Sequence, residues 1–252
     1  MKITFLGTGT STGVPFIGCQ CPTCRSTYFK DKRLRSSALI ETPSTRILID
    51  CGPDFRQQIL PCTHQRIDAV LITHEHYDHV GGLDDLRPYS VFGQVNIYTL
   101  ERTAAQLKQA LPYCFRENDY PGIPQLELHH IRPHERLNIG DMDITPIEVM
   151  HAQLPILGFR INNMAYITDM KTIDESETEY LKNLDLLVVN GLRHKEHYSH
   201  QTIEEACTFA QKIGAKQTYL IHMCHHIDTH DVEDAKLPDN IHLAYDGLVL
   251  DC

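Results

Sequence analysis

Short apolar runs alternate with helical periodicities along the chain, and each kind of run predicts a different element. Short runs of apolar and β-branched residues predict strands at about 2–6, 36–42, 46–50, 67–73, 95–99, 126–131, 143–150, 157–161, 164–168, 185–190, 217–222 and 241–250. Apolar residues at helical spacing predict helices at about 53–60, 82–90, 100–112, 174–183, 202–213 and 230–236. Strand pairs come first and strand–helix alternation follows. This order predicts two packed sheets with helices on their outer faces.

No segment of the sequence marks a boundary between domains. The chain contains no low-complexity stretch, no Ser/Gly linker and no internal repeat. With 252 residues and 42% hydrophobic content it can bury a full core, and layered α/β folds of this length usually form one domain. We therefore predict a single domain over residues 1–252.

Ligand-type side chains follow four of the predicted strands, at the point where each strand ends. The strand at 67–73 leads directly into residues 74–79, which read HEHYDH. His151, Asp169 and His222 each close a later strand. In a layered α/β fold, strand ends can direct side chains from separate segments into one crevice. The sequence therefore predicts one polar site assembled from four segments.

Residues 74–79 carry more ligands than one metal ion ordinarily needs. Three imidazoles and a carboxylate fall within six residues: His74, His76, Asp78 and His79. In an extended segment His74 and His76 project to the same side, and the two later ligands turn toward a neighbouring ion. An aspartate that bridges two ions would hold them about 3.5–4 Å apart, as in two-metal hydrolysis, and Asp169 is the candidate bridge. A solvated histidine-rich loop is the alternative interpretation.

This run resembles the signature of the metallo-β-lactamase superfamily, since Thr73 precedes it and Gly81-Gly82 follow it. Asp50, placed after an apolar strand, and the three later strand-terminal ligands occur in that superfamily's order. The resemblance implies an α/β fold, the four-layer αββα sandwich. It assigns His74, His76 and His151 to one ion, Asp78, His79 and His222 to the other, and Asp169 to both. It also implies that Asp50 orients a ligand or the loop without touching metal.

His76 and the first loop indicate which branch of the superfamily the chain resembles. Flavodiiron proteins carry a glutamate where this chain has His76, so the imidazole favours hydrolysis with zinc or manganese. The loop at 7–15, GTGTSTGVP, is similar to the start of the phosphodiesterase branch, which includes ribonuclease Z and the PhnP family. The implied reaction is phosphodiester hydrolysis, in which two divalent ions (Mn or Zn) lower the pKa of a bridging water and present hydroxide to phosphorus.

Three cysteines near the start of the chain form a second candidate metal site. They lie within six residues: Cys19, Cys21 and Cys24. This spacing suits a tetrahedral structural zinc if a fourth ligand comes from elsewhere. PhnP-like proteins are similar in pairing it with a histidine three residues beyond the last catalytic ligand, here His225. The residues alone leave other fourth ligands open, namely Cys224, His226 and His230, and also leave open the alternative of free thiols.

His200 is the candidate proton donor, and with the ligand Asp78 it completes the expected catalytic residues. It falls where PhnP-like and ribonuclease Z-like sequences carry a histidine that faces the substrate phosphate. An imidazolium there could bind a phosphate oxygen or protonate the leaving alkoxide; a capping or solvated histidine is the alternative. His194 and His197 have weaker claims. Asp246 resembles a terminal feature of the branch that supports the site, or is a turn residue.

Charge limits the expected substrates. The formal net charge of −10 leaves no broad cationic surface, which argues against non-specific nucleic-acid binding, whereas bound metal would still attract a compact anion. Only 18 positions separate His151 from Asp169, which leaves no room for a tRNA-gripping insertion. We therefore expect a small sugar or nucleotide phosphodiester, cyclic esters included. A thioester or lactone hydrolase, a tRNA 3′-processing nuclease and a non-enzymatic metal-binding protein are the alternatives.

Location and assembly are also expectations at this stage. The first residues enter a strand pattern without an export signal, and no apolar run approaches the roughly 20 residues that cross a bilayer. Nine cysteines, an odd number, suit a reducing compartment. We expect a cytoplasmic protein without membrane contact, and the family resemblance suggests a homodimer.

Overall fold

Two seven-stranded mixed sheets form the centre of the computed structural model, which describes residues 1–115 and 122–252. The first sheet contains Lys2–Gly7 (β1), Ser37–Glu41 (β2), Arg46–Ile49 (β3), Ala69–Leu71 (β4), Val95–Thr99 (β5), Leu126–His130 (β6) and Val249–Asp251 (β14). The second contains Leu137–Ile139 (β7), Met142–His151 (β8), Leu154–Ile161 (β9), Met164–Ile167 (β10), Leu186–Asn190 (β11), Gln217–Ile221 (β12) and Ile241–Leu243 (β13). The spatial orders are β14-β1-β2-β3-β4-β5-β6 and β13-β12-β11-β10-β9-β8-β7.

Helices cover the outer faces of both sheets. The α-helices are Pro22–Arg25 (α1), Phe55–Ile59 (α2), Tyr77–Val80 (α3), Glu101–Ala110 (α4), Ile203–Ile213 (α5) and His230–Asp234 (α6). Four 3₁₀ segments are Phe29–Asp31, Leu83–Phe92, Pro112–Cys114 and Glu175–Leu181. Helix α5 is capped at both ends, by a capping box between Thr202 and Glu205 at its start and by a left-handed Gly214 at its end. Along the described ranges, none of these helices combines the length and apolarity needed to cross a membrane.

Three clusters of buried apolar side chains hold the four layers together. The central cluster fills the space between the sheets, where Phe5 and Ile40 of the first sheet pack with Phe159 of the second. A second cluster joins the outer face of the second sheet to α5, and a third joins the outer face of the first sheet to α2 and α4. Burying each large apolar side chain stabilises the fold by about 1.5–3 kcal/mol. The predicted αββα sandwich is confirmed.

The sequence prediction differs from the structure in several elements. The strand predicted at 241–250 is wrong as one element, because Gly247 adopts φ 87° in a turn that separates β13 from β14. The segments predicted as helices at 82–90 and 174–183 are 3₁₀ rather than α. Pro88 lies inside the first, where it lacks the N–H that an α-helix needs. The short elements β7, α1 and α3 were not predicted.

Parallel strand pairs bring the polar strand ends to one edge of the sandwich. In the first sheet β3, β4, β5 and β6 run parallel, and in the second β10, β11, β12 and β13 do. Asp50 and His222 directly follow β3 and β12, and Asp169 lies two residues after β10; all three adopt left-handed backbone conformations with φ between 56° and 59°. Such conformations are uncommon outside glycine and concentrate where the surrounding structure holds a functional side chain in place.

Candidate metal centre

Three imidazoles converge where β4 and β8 end. The ligand atoms of His74, His76 and His151 all lie within 4.8 Å of one another. His74 Nε2 and His76 Nδ1 face each other at 2.9 Å. The other ring nitrogen of His74, Nδ1, is hydrogen-bonded to Thr73 Oγ1 at 3.0 Å. His151 Nδ1 donates to the carbonyl oxygens of Asp169 (2.8 Å) and Ser199 (3.1 Å). Because Nδ1 is engaged in both His74 and His151, each of these two rings directs its Nε2 lone pair toward a common point.

A second group lies beside the first and is buried. Its members, whose ligand atoms again lie within 4.8 Å of one another, are Asp78, His79, Asp169 and His222. His79 Nδ1 donates to Asp50 Oδ2 at 2.7 Å, so its Nε2 faces the group. His79 Nε2 lies 3.2 Å from Asp78 Oδ2, and His222 Nε2 lies 3.5 Å from the same oxygen.

Asp169 stands between the two groups, with one carboxylate oxygen turned to each. Its Oδ1 lies 3.4 Å from His79 Nε2 and 3.2 Å from His222 Nε2. Its Oδ2 lies 3.9 Å from His74 Nε2. A carboxylate in this position can contribute one oxygen to each of two ions, which is the bridging arrangement expected from the sequence.

The donor set fits divalent metal ions. Among the described side chains, the buried His79 Nε2 and both ring nitrogens of His222 have no hydrogen-bond partner. Buried polar atoms without partners are costly and rare, and a cation held by imidazole and carboxylate would give a partner to the Nε2 atoms of His79 and His222. The residues present therefore match a dinuclear centre.

Burial and mutual attraction shift the ionisation of these groups. Burial holds the pKa of His74 well below its ordinary value, which keeps the ring neutral. Burial opposes ionisation of Asp169, but His222 and His79 hold its pKa well below the ordinary value. Burial likewise opposes protonation of His79, yet Asp78 and Asp169 raise its pKa well above the ordinary value. A metal ion would displace this proton, because a ligating imidazole must be neutral.

Asp50 orients a ligand without joining either group. It is fully buried and accepts hydrogen bonds from the Thr73 N–H (2.9 Å) and hydroxyl (2.9 Å) as well as from His79. Asp50 thus fixes the tautomer of His79 directly and that of His74 through Thr73, which is one ligand in each group. Thr73 belongs to the sequence signature, but the signature does not indicate that its hydroxyl links Asp50 to His74.

The cysteine pattern and His225 lie together at the first loop. The ligand atoms of Cys19, Cys21, Cys24 and His225 are within 4.8 Å of one another, and His225 Nδ1 lies 3.3 Å from Cys19 Sγ and 3.5 Å from Cys21 Sγ. Backbone N–H groups point at all three sulfurs, as thiolates require. Burial raises the pKa of Cys24 to about 11, so metal binding would be needed to hold it as a thiolate.

Two of the three competing fourth ligands have other partners, and the third, His226, is outside the group of described residues that could hold the ion. His230 Nδ1 lies 3.0 Å from Arg33 Nη2, and Cys224 Sγ accepts from the His226 N–H at 3.4 Å. The geometry therefore favours His225. All nine cysteines are free of disulfides.

His200 lies against both metal groups. Its ring stacks on that of His222 at 4.9 Å and lies 4.7 Å from the tilted ring of His151. Its Nδ1 is buried, lacks a partner among the described residues and lies 3.9 Å from Asp169 Oδ2. Burial lowers the pKa of His200 to about 3. The ring is therefore neutral at neutral pH, whereas the sequence suggested an imidazolium.

The remaining candidates lie farther from the ligands. The His197 ring lies 5.0 Å from that of His200 and is tilted against it, while His194 pairs with Glu204 (2.6 Å) and Glu233 (2.9 Å). Asp246 accepts from Thr8 Oγ1 at 2.8 Å and the Leu34 N–H at 2.6 Å. Its connection to the site runs through the Thr8 carbonyl, which accepts the N–H of the residue after His222 at 3.1 Å.

One supporting contact escaped the sequence analysis. Glu75, between two ligands, accepts from Thr103 Oγ1 at 2.9 Å and forms an ion pair with Arg102 Nε at 3.1 Å. Arg102 Nη2 also donates to the Pro155 carbonyl at 2.9 Å. These contacts join residues far apart in the chain, so no local pattern could reveal them.

Comparison with known proteins places this geometry in a family. Residues 45–223 match the family described as beta-lactamase superfamily domain. A crystal structure described as a new diphosphatase from the PhnP family is 38% identical, with a TM-score of 0.92, and the match covers 100% of this chain and 97% of that one. Zinc-bound PqqB from Methylobacterium extorquens, at 21% identity, TM-score 0.83 and 100% coverage of both chains, shares the fold.

A curated protein of Porphyromonas gingivalis named octanoyltransferase is 48% identical over 250 residues. This match covers 98% of the present chain but 51% of that protein, so the chain spans about half of its length. The family match, the ligands at the strand ends and the similarity to the diphosphatase all indicate the same family. The chain belongs to the metallo-β-lactamase superfamily and, within it, to the PhnP family.

Proposed function

We propose that the protein is a metal-dependent phosphodiesterase that hydrolyses a small phosphodiester. The observation that carries this proposal is Asp169, whose two oxygens face separate groups of ligands while His200 lies beside both. A site of this kind can hold a phosphate between two cations and supply a proton from one side. The superfamily consists mostly of hydrolases, and the similar PhnP-family diphosphatase supports chemistry at phosphorus.

Two divalent ions, zinc or manganese, would be held by the residues of the two groups. The first would bind His74, His76, His151 and Asp169; the second would bind Asp78, His79, His222 and Asp169. When bound, such ions lower the pKa of a water molecule and neutralise negative charge on phosphate oxygens.

His200 is the proposed proton donor. Its neutral ring can donate a hydrogen bond to a phosphate oxygen, and the negative charge of that phosphate raises the imidazole pKa. Protonated in this way, His200 can transfer its proton to the leaving alkoxide. Asp169 keeps its carboxylate ionised through His222 and His79 and is therefore not the donor.

A structural zinc is proposed at the cysteine site. Cys19, Cys21 and Cys24 precede β2, whereas His225 follows β12 and the ligand His222. Zinc bound there would fasten the first loop to the segment that carries His222. It would thereby stabilise the metal centre without taking part in the reaction.

Hydrolysis of bis(p-nitrophenyl) phosphate tests this function, with protein that has been chelated and reconstituted with manganese or zinc. Turnover should depend on metal and should be lost in Asp169→Asn. The matched control is Asp185→Asn, an aspartate that forms a surface ion pair with Lys216 at 2.6 Å. No turnover by a protein shown to hold two ions would overturn the proposal.

A second candidate is hydrolysis of an acyl thioester or lactone on the same ligands. It is favoured by the name of the Porphyromonas relative, which refers to transfer of an octanoyl group. Because the chain spans about half of that protein, the name can describe the other half. Turnover of octanoyl thioesters without turnover of phosphodiesters would favour this candidate.

A further inference from the structure

Two exposed tyrosines lie close in the chain to residues of the metal centre, Tyr77 between His76 and Asp78, and Tyr198 two positions before His200. Tyr77 is 69% exposed and Tyr198 is 79% exposed, whereas His79 and His200 are at most 8% exposed. An exposed aromatic ring next to a binding site offers a ligand a large contact surface. The ligand His76 is itself exposed, so the centre opens to solvent next to Tyr77.

Tyr198 precedes a residue whose backbone contacts the metal centre. The carbonyl of Ser199 accepts the hydrogen bond from His151 Nδ1 at 3.1 Å. The rings form a continuous series, because Tyr198 lies 6.2 Å from His197 and His197 lies 5.0 Å from His200. A planar group attached to a phosphate beside His200 can therefore reach the Tyr198 ring.

Tyr77 is held in place. Its ring lies over Gly81, where an added Cβ would come within 2.6 Å of Tyr77 Cε2. The glycine thus leaves room for the ring one turn away on α3. Rigid aromatic side chains lose little conformational entropy on binding, which makes them effective contact surfaces.

His197 adds a directed polar group to this rim. Its Nδ1 faces the Ser199 N–H at 3.3 Å and therefore accepts a hydrogen bond. In a neutral imidazole the proton then lies on Nε2, which can donate to a ribose hydroxyl or a base edge. Two nearby cations are engaged elsewhere, since Lys171 pairs with Glu205 at 2.9 Å and Arg193 Nε donates to the Lys195 carbonyl at 3.1 Å.

We infer that the substrate is a phosphodiester of a nucleotide, whose base stacks on the exposed ring of Tyr198. This inference rests on the proposed phosphodiesterase function and specifies its substrate class. A phosphodiester of a bare sugar would leave this ring exposed. Stacking tolerates any base, because every base has a π face.

Calorimetric binding of adenosine 5′-monophosphate and ribose 5-phosphate to the metal-loaded protein tests the inference. The two ligands share the phosphate and sugar and differ in the base. Adenosine 5′-monophosphate should bind about 5- to 100-fold more tightly, as expected for one base–aromatic contact. Tyr198→Ala should reduce this ratio, and Tyr198→Phe should retain it. Phe29→Ala, which removes a 59% exposed aromatic ring elsewhere, is the matched control.

The outcomes separate this inference from the function on which it rests. Equal affinities in the wild-type protein, or a preference that Tyr198→Ala leaves unchanged, would overturn the nucleotide assignment even if phosphodiesters are hydrolysed. A preference for the nucleotide that depends on Tyr198 would support the assignment. Binding is measured independently of turnover, so failure of phosphodiester hydrolysis would be recognised as failure of the proposed function.

Discussion

His200 occupies a position that suits two roles, because its ring nitrogen lies within 4.8 Å of ligand atoms of His151 and Asp169. As a proton donor it should be dispensable for metal binding. We predict that His200→Ala keeps two ions and lowers kcat about 10²–10⁴-fold for an alkyl ester. The loss should be much smaller for a p-nitrophenyl ester, whose leaving group departs without a proton. Metal analysis and kcat with both esters test this, and loss of an ion would instead identify His200 as a ligand.

Asp246 predicts a pH dependence of stability that is independent of the metal ligands. Burial raises its pKa to about 6, although the Leu34 N–H and Thr8 partly offset this effect. A carboxyl with a raised folded-state pKa stabilises the fold while protonated, and this contribution is lost as pH rises through about 6. Its share of the free energy of unfolding should fall by about 1.4 kcal/mol between pH 5 and pH 8.

Urea denaturation of the wild type and Asp246→Asn across this pH range checks the prediction. Asparagine does not titrate, so the difference between the two proteins isolates the carboxyl from the other groups. The wild type should lose stability relative to the variant as pH rises. A constant difference would show that Asp246 stays ionised, with the buried Arg33 stabilising its charge through Thr8.

The side chains of the proposed site could be predicted because strand ends mark them in the sequence. His74, His151, Asp169 and His222 each follow an apolar run, and the structure brings them together. The contacts that orient them could not be predicted. The Ser199 carbonyl that holds His151 is a backbone group 48 positions away, and such a contact exists only once the fold has formed.

Helix α4 connects the two segments that supply the first group of ligands. Arg102, near its start, pairs with Glu75 in the histidine run and donates to Pro155 in β9, which is paired with β8 beside His151. We predict that Arg102→Ala weakens metal binding at this group about 10–100-fold, as expected when a contact that orients ligands is lost.

Chelator competition measures this affinity, with metal content and Tm recorded in parallel. Arg87→Ala is the matched control, because Arg87 forms a similar pair with Asp84 at 2.7 Å away from the ligands. Equal metal affinities in the two variants would refute the role of Arg102. A similar fall in Tm without a change in affinity would indicate a purely structural contact.

The first loop provides a test of the proposed zinc. Cys21→Ser should reduce the metal content from three ions to two and lower Tm by roughly 5–10 °C, because bound metal contributes directly to folding. Cys207→Ser on α5 is the control, since Cys207 is half-buried and lies outside the cluster. Three ions retained in Cys21→Ser would contradict a zinc at this loop.

Elements were predictable where the local pattern agrees with the tertiary packing. Strands β5 and β6 were located to within one residue, because turn residues bound both segments and every second residue of β5 is buried. Short elements were missed for the opposite reason. Helix α3 spans one turn within the ligand run, and β7 has three residues, too few to show a period. Their conformation follows from the contacts that surround them.

At the level of the whole molecule, part of the negative charge is buried where metal is expected. The chain carries a formal net charge of −10, and three of its carboxylates, Asp50, Asp78 and Asp169, are buried close together. Two divalent cations would offset this charge, so the metal-bound form should be considerably more stable than the chelated form. At a metal concentration about 1,000-fold above Kd, one site adds about 4 kcal/mol, which corresponds to roughly 10 °C in Tm for a chain of this size.

We therefore predict that chelation lowers Tm by at least this amount and that zinc or manganese restores it. Calorimetry with Asp169→Asn separates the two contributions, because this variant should lose the response from the dinuclear centre and retain that of the cysteine site. Added salt should not replace the metal, since buried charges are screened far less than exposed ones. If Tm is the same with and without metal, the buried carboxylates are stabilised by His79 and its neighbours alone, and the clusters do not act as metal sites.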